Sequence, residues 1–290
     1  MIDVRQSDFW ATYLKKLGWA VVKNQNYIYT RKLPIAGSLI KIPRIKPPIP
    51  FKEIDQVAKE TRALFVKLEP NTGLDDKSLA SKLKFQGFNE DGWSLQPTKT
   101  ISIELTLSEE TLLSNMEKDT RYSIRKAQRD GVKIGESRDF DAFAALHKET
   151  AKRQGFWTSE KDSKALWESL SNENRALLFA KKDDEILAGA FLIFFDGVCY
   201  YYEAASSTSR RDLMAPYLTI WEGIKLAKKK GCKKFDFEGI FDERIKATKS
   251  WKGFTHFKRG FGGKEETYLG SFVKFYNPIA KFIFFFNKFF

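Results

Sequence analysis

The stretch VCYYYEAASSTSRRDLMAPYLTIWEGIKLAKKKGCKKFDFEGI, residues 198–240, decides the fold. It reads as a strand (198–204), a polar loop (206–213), a long helix (216–230) and a short strand (234–237). Pro216 stands in the first helical turn, where its missing N–H costs nothing, and Gly231 follows the end, where a left-handed residue stops the helix. Just upstream, Ile186–Phe195 is another apolar strand, and Asp196-Gly197 between the two is a two-residue hairpin signal.

Working outward, a strand over Ala176–Lys181 precedes the hairpin, and helices over Asp139–Gln154 and Ser159–Leu170 precede that strand. Before them come a basic helix, Thr120–Asp130, stopped at Gly131, and a short strand, Val132–Ile134. Ser108 is a helix N-cap with Glu109 and Glu110 in the first turn. Thr100–Leu107 alternates apolar and polar residues with the period of a half-buried strand.

The N-terminal part has a helix (Phe9–Leu17), extended pieces at Trp19–Val22, Tyr27–Arg31 and Ser38–Pro43, a helix over Lys52–Arg62, a strand over Ala63–Leu68 and a helix over Asp75–Phe85. IPRIKPPIP, residues 42–50, cannot be helix interior, because each proline removes a donor and restricts the residue before it. A last strand is expected over Thr267–Phe275. The class is therefore α+β, with two consecutive halves of mixed strand and helix, 1–107 and 108–267, and a tail.

Composition sets outer bounds. With 290 residues, 42% hydrophobic and 30% charged, the chain is globular and long enough for two domains. Fifty Lys and Arg against 37 Asp and Glu leave a net charge of +13, which favours anionic partners such as RNA, nucleotide phosphates or an acidic membrane surface. Cys199 and Cys232 cannot build a disulfide framework or a four-ligand zinc site, and His147 and His256 do not make a histidine-rich metal centre. No metal or cofactor is expected. The first residues lack a signal-peptide pattern, and no apolar run reaches the roughly 18 residues of a membrane span. A cytoplasmic location is expected.

The strand, loop and helix of 198–230 occupy the place where an N-acetyltransferase (GNAT) fold splays two strands and cradles its acyl donor. A coenzyme A cradle needs glycines there, so that backbone donors can approach a pyrophosphate. Here the loop reads Arg210-Arg211-Asp212-Leu213-Met214-Ala215, and Leu213 stands where the first glycine is needed. The fold signal survives and the coenzyme signal fails.

RYSIRKAQRDGV at 121–132 resembles the Arg-x-x-Ile-x-Lys-Ala-x-x-x-Gly-Val signature of the FemABX peptidyltransferases. LHKETAKRQGF (146–156), APYL (215–218), FDFEGI (235–240) and FKRGFGG (257–263) follow in that family's order and spacing. The resemblance covers most of residues 10–275. It implies two tandem GNAT-like domains with mixed sheets, the first completed by 268–290, and no coiled-coil arm. It also implies aminoacyl-tRNA as donor and the stem peptide of a peptidoglycan precursor, UDP-linked or lipid-linked, as acceptor.

Aminoacyl transfer from an ester to an amine needs no cofactor or enzyme nucleophile. It needs a positioned amine, a proton acceptor and positive charge for the oxyanion. By motif position Lys258, preceded by Phe257, matches the family's catalytic Phe-Lys pair and is expected to stabilise the tetrahedral intermediate or the leaving tRNA hydroxyl; without the resemblance it reads as a solvated surface lysine. Asp236 and Glu238, at a strand end, are candidates to accept a proton or orient the amine. The family usually shows glycine where Glu238 stands. Arg153 matches an arginine that contacts precursor phosphates or carboxylates, and Lys23 resembles a basic position that holds the nucleotide diphosphate. Tyr201 and Tyr202 are candidates for a stem-peptide groove, although alternating aromatics on a strand are more often core.

Lys228, Lys229, Lys230, Lys233, Lys234 and Arg259 lie in a basic cluster suited to the phosphates of a tRNA acceptor arm, or, more plainly, to a solvated helix end. In the tail, residues 279–290 combine phenylalanines with Lys281 and Lys288 and suit peripheral contact with the inner face of the membrane. A monomer is expected. The competing readings are a GNAT-fold acyltransferase with another donor, such as acyl-coenzyme A, and a non-catalytic protein that binds RNA or a membrane surface.

Overall fold

In chain order, α1 (Asp8–Lys16) is followed by β1 (Ala20–Lys23), β2 (Tyr27–Leu33), β3 (Gly37–Ile45), α2 (Phe51–Glu60), β4 (Ala63–Pro70), α3 (Lys77–Phe85) and β5 (Asn89–Asp91). A second series runs β6 (Lys99–Glu104), α4 (Glu109–Ser114), α5 (Lys118–Arg129), β7 (Lys133–Ser137), α6 (Phe140–Gln154), α7 (Glu160–Ser169), β8 (Arg175–Lys182), β9 (Glu185–Phe195), β10 (Val198–Ser206), α8 (Ala215–Lys229), β11 (Lys234–Gly239), α9 (Lys252–Arg259) and β12 (Lys264–Thr267). The last strand is β13 (Ser271–Phe275). The coordinates are a computed structural model that describes residues 1–34 and 36–281.

The chain forms two compact units, one of residues 2–98 with the segment from Thr267 onward, the other of Lys99–Glu266 with Met1. In the first, six strands are ordered β1-β2-β3-β4-β13-β5. β3 and β4 are parallel, and β13 returns from the far end of the chain to pair antiparallel with both β4 and β5. Ile40, Ile42, Val66, Leu68 and Phe272 of this sheet are buried together with Ile54, Val57 and Ala58 of α2.

The second unit holds a seven-stranded sheet, β12-β6-β11-β10-β9-β8-β7. The strand read at the end of the first half, Thr100–Leu107, belongs here: β6 pairs antiparallel with β11, so the boundary falls at Lys99 rather than at 108. That partner lies some 130 residues downstream, and nothing local in β6 announces it. One face of the sheet is covered by α5 and α8, whose Ile124, Leu218, Trp221 and Ile224 pack on Leu178, Leu192, Phe235 and Phe237. Against the other face, Phe140 of α6 and Trp167 of α7 pack around Phe191 of β9.

Two adjacent strands of this sheet part company. β10 and β11 are parallel neighbours from Val198↔Lys234 to Tyr200↔Asp236, and the pairing ends there. Immediately beyond, each strand bulges, β10 between Tyr201 and Glu203 and β11 between Asp236 and Gly239. A bulge adds a residue, bends the strand and re-aims the side chains beside it. The hairpin before β10 turns on Asp196 (φ +45°) and Gly197 (φ +78°), two left-handed residues in succession as a type I′ turn requires.

Candidate active site

The β11 bulge is the centre of the site. Asp236 pairs with Ser102 and Gly239 with Thr100, so three steps along β11 match two along β6. Glu238 takes up the extra residue at φ +58°, a left-handed conformation that costs a residue with a side chain about 1–2 kcal/mol. Glycine adopts it without that cost, which is the physical reason to expect glycine at this position.

Asp236 holds the kink. Its Oδ1 accepts the backbone N–H of Glu238 at 2.8 Å and the Thr100 hydroxyl at 2.5 Å. Lys234 Nζ lies 3.8 Å from Oδ2. The residue is 5% exposed. The buried carboxylate of Asp236, a candidate proton acceptor by its position, shapes the backbone beside the site. Glu238, at the turn itself, is half-buried.

Helix α9 brings Lys258 to the same kink. Its ammonium donates to the carbonyl oxygens of Phe237 and Gly239, both at 2.7 Å, one on each side of Glu238. The Phe254 ring lies 4.9 Å from Nζ. Burial lowers the Lys258 pKa to about 8, against the opposing pull of the Glu238 and Asp236 carboxylates. Lys258 is therefore not a solvated surface lysine: it is an anchored cation near the neutral range. Phe257 packs against Tyr217 at 4.9 Å and Phe261 at 5.4 Å between ring centroids, which fixes α9 on the start of α8.

The glycines of FKRGFGG let α9 end where it does. A Cβ on Gly262 (φ +78°) would meet the Asn115 carbonyl oxygen at 2.7 Å, and one on Gly263 (φ +94°) the Ser102 carbonyl oxygen at 2.5 Å. Both are backbone atoms that cannot yield cheaply. The motif records a close approach of the chain after α9 to α4 and β6.

The other candidates are placed variously. Arg153, at the end of α6, donates from Nη2 to Ser206 Oγ at the tip of β10 (3.0 Å), while its buried Nε has no hydrogen-bond partner among the described residues. Tyr201 is 8% exposed and packs on Phe235 and Phe237, so it is core and not a groove residue. Tyr202 is half-buried on the opposite face, its ring edge-on to Phe191 at 5.7 Å. Lys23 lies in the other unit, exposed, paired with Asp8 at 2.8 Å and 5.0 Å from the Tyr27 ring.

Of the basic cluster, Lys229, Lys230, Lys233 and Arg259 are exposed. Lys228 is tied to the carbonyls of Leu105 and Leu107 at 2.9 and 2.7 Å, and Lys230 lies over the Phe194 ring at 5.0 Å. Lys234 is paired with Glu266 at 2.6 Å and Arg259 with Glu265 at 2.7 Å. Two of the six are thus already matched by carboxylates. In the donor-loop region, Leu213 is buried in the core, while Arg210 and Met214 take φ +48° and +55°. Residues 282–290 of the tail lie outside the described residues.

Sequence reasoning missed Glu203 and its neighbours His147 and Ser163, which gather behind the β10 bulge. A lone carboxylate in the aromatic run CYYYEAA was the available signal.

A lipid II:glycine glycyltransferase of Staphylococcus haemolyticus is 24% identical over 77% of this chain and 71% of its own. A crystal structure of FemX superposes with a TM-score of 0.84 at 20% identity, covering 97% of this chain and 94% of that one. A tandem GNAT protein from the clavulanic acid biosynthesis pathway shares the fold at a TM-score of 0.52 and 8% identity, over 89% of this chain and 83% of that one. The fold is thus α+β and GNAT-like. The model of the FemAB family matches residues 49–163 and 158–288. With two matches that together span most of its length, the chain belongs to the FemAB family and is a transferase of the FemABX type.

Proposed function

We propose that this chain moves an amino acid from an aminoacyl-tRNA to the stem peptide of a peptidoglycan precursor. The observation that carries the reading is the Lys258 ammonium, held by two backbone carbonyls at the β11 kink with Glu238 between them. The staphylococcal relative's own name, a glycyltransferase acting on lipid II, supports the acceptor class.

In the proposed reaction the precursor amine attacks the ester carbonyl carbon. The new C–N bond forms, the carbonyl oxygen becomes an oxyanion, and the C–O bond to the tRNA ribose then breaks. Two N–H groups of Lys258 are spent on Phe237 and Gly239, which leaves the third for the oxyanion or the departing ribose oxygen. The proton lost by the amine passes to Glu238 and from there to the ribose oxygen, so that no metal or cofactor enters the balance. Asp236 keeps the kink in shape.

Arg153 and Lys23 are proposed to meet the phosphates or carboxylates of the precursor, as suits a planar guanidinium fork and a point charge. Lys229 and Lys233, with the rest of their cluster, would meet acceptor-arm phosphates. No helix among the described residues is long and apolar enough to cross a membrane. For a lipid-linked acceptor the proposed contact is peripheral, through residues 279–290.

The test is a transfer assay with tRNAs charged with labelled amino acids and both UDP-linked and lipid-linked precursors, with acetyl-coenzyme A as a rival donor. Label passing from tRNA to precursor supports the reading and names the amino acid. Transfer from acetyl-coenzyme A alone, or from neither donor, overturns it.

A further inference from the structure

The β10 bulge does a second thing, on the face of the sheet that α6 and α7 cover. In a regular strand Glu203 would share a face with Tyr201, inside the core beneath α8. The bulge instead pairs Glu203 with Phe191, whose ring packs against Phe140 and Trp167 on the α6–α7 side. Residues directly opposite in an antiparallel pair share a face, so the carboxyl is turned toward α6 and α7. There it closes the floor of a cavity of about 210 Å³ whose walls include Phe140, Phe143 and Ala144.

The floor is polar and incompletely satisfied. Oε1 of Glu203 accepts the Ser163 hydroxyl at 2.6 Å. Oε2 is buried and has no hydrogen-bond partner among the described residues. The nearest basic nitrogen, His147 Nδ1, is 3.9 Å away and lies 3.3 Å from the Thr158 hydroxyl. Burial lowers the His147 pKa, which favours the neutral ring. At the mouth stand Lys148 of α6 and Glu160 of α7, one charge of each sign. Leaving a buried acceptor open costs about 1–3 kcal/mol, and a natural way to recover that cost is a ligand that brings the donor.

We propose that this cavity is a binding site for a primary ammonium group on a short aliphatic stem, with Oε2 of Glu203 as its acceptor. An ammonium offers charge-assisted hydrogen bonds to Oε2, and the Phe140 and Phe143 rings offer a stem apolar contact and a cation a favourable π environment. The carboxyl at the floor repels an anion. Burial also raises the Glu203 pKa to about 7. Near pH 7 about half of the sites then hold the carboxyl proton, and the neutral acid loses it to solvent as the carboxylate–ammonium pair forms. The site is independent of the transfer reaction, and a chain that transfers nothing would still bind the amine.

The test uses the full chain with propylammonium chloride as probe and propan-1-ol as its uncharged counterpart. The sequence has two histidines, so the ring resonance of His147 reports on the cavity and that of exposed His256 serves as the internal control. Expected is a saturable shift of His147 alone, with affinity about tenfold higher at pH 8 than at pH 6, from the fraction of Glu203 ionised. Protonation of His147 acts in the same direction, and Glu203→Gln separates the two by losing binding at pH 8. No shift at pH 8, equal affinity at both pH values, an equal response to propan-1-ol, or undiminished binding by Glu203→Gln overturns the proposal. The comparison of amine with alcohol in the unaltered chain decides the matter even if the variant does not fold.

Discussion

Asp236 and Glu238 form one device: Oδ1 of the first accepts the backbone N–H of the second at 2.8 Å and holds it at φ +58°. Phe237 falls within the bulge and Gly239 is where pairing with β6 resumes, and the carbonyls of both accept from Lys258. A buried carboxylate thus positions the backbone, the backbone positions the ammonium, and Glu238 stands beside it.

Replacing Glu238 by glycine separates its backbone strain from its charge, in a variant that also lacks the proposed proton acceptor and should be slower at every pH. The left-handed backbone is relieved, so Glu238→Gly should raise the stability by about 1 kcal/mol in denaturant unfolding. The same change removes a negative charge that favours the Lys258 ammonium. In a pH–rate profile, the alkaline limb near pH 8 should therefore move to lower pH in this variant. A limb that stays in place would separate it from Lys258.

Gly263 tests the close approach behind α9. Gly263→Ala would put a Cβ 2.5 Å from the Ser102 carbonyl oxygen at φ +94°. A loss of about 2–3 kcal/mol is expected, from backbone strain and a contact that neither partner can relax. Gly253, where an added Cβ meets nothing within 4 Å, is the control, and its alanine variant should stay within about 0.5 kcal/mol of the parent.

Glu203 makes a prediction about stability against pH. Its pKa is raised from 4.5 to about 7 by burial, with the Ser163 hydrogen bond working the other way. Between those values the folded state holds a proton that the unfolded state has lost, so this group's contribution falls as pH rises from about 4.5 to 7. Relative to Glu203→Gln, the parent should lose about 3 kcal/mol across that window. Equal pH dependence in the two proteins would place the carboxyl in water.

Much of the order of elements is legible locally. Asp196-Gly197, Pro216 and Gly231 bracket β10 and α8 because turns and helix ends have fixed dihedral demands, and the structure meets each one. Helix α9 was not read, although Trp251, Phe254, Phe257, Lys258 and Phe261 recur at helical spacing. Its eight residues are too few for a firm periodic signal, and Gly253 and Gly260 lie in and just after them. The two bulges were not read either, since a bulge is set by the partner strand. Lys258 was found by its motif, but its two carbonyl partners, and the structural duty of Asp236, come from contacts made across β11 and β6.

The most direct test of the account is the single-turnover rate of Lys258→Met with both substrates saturating, together with its affinity for charged tRNA. In the proposed reaction the anchored ammonium acts on charge that develops in the transition state, so the rate should fall by about 10²–10³-fold while tRNA affinity stays within about twofold. A rate within twofold of the parent's, or a loss confined to tRNA binding, would contradict the role assigned to Lys258.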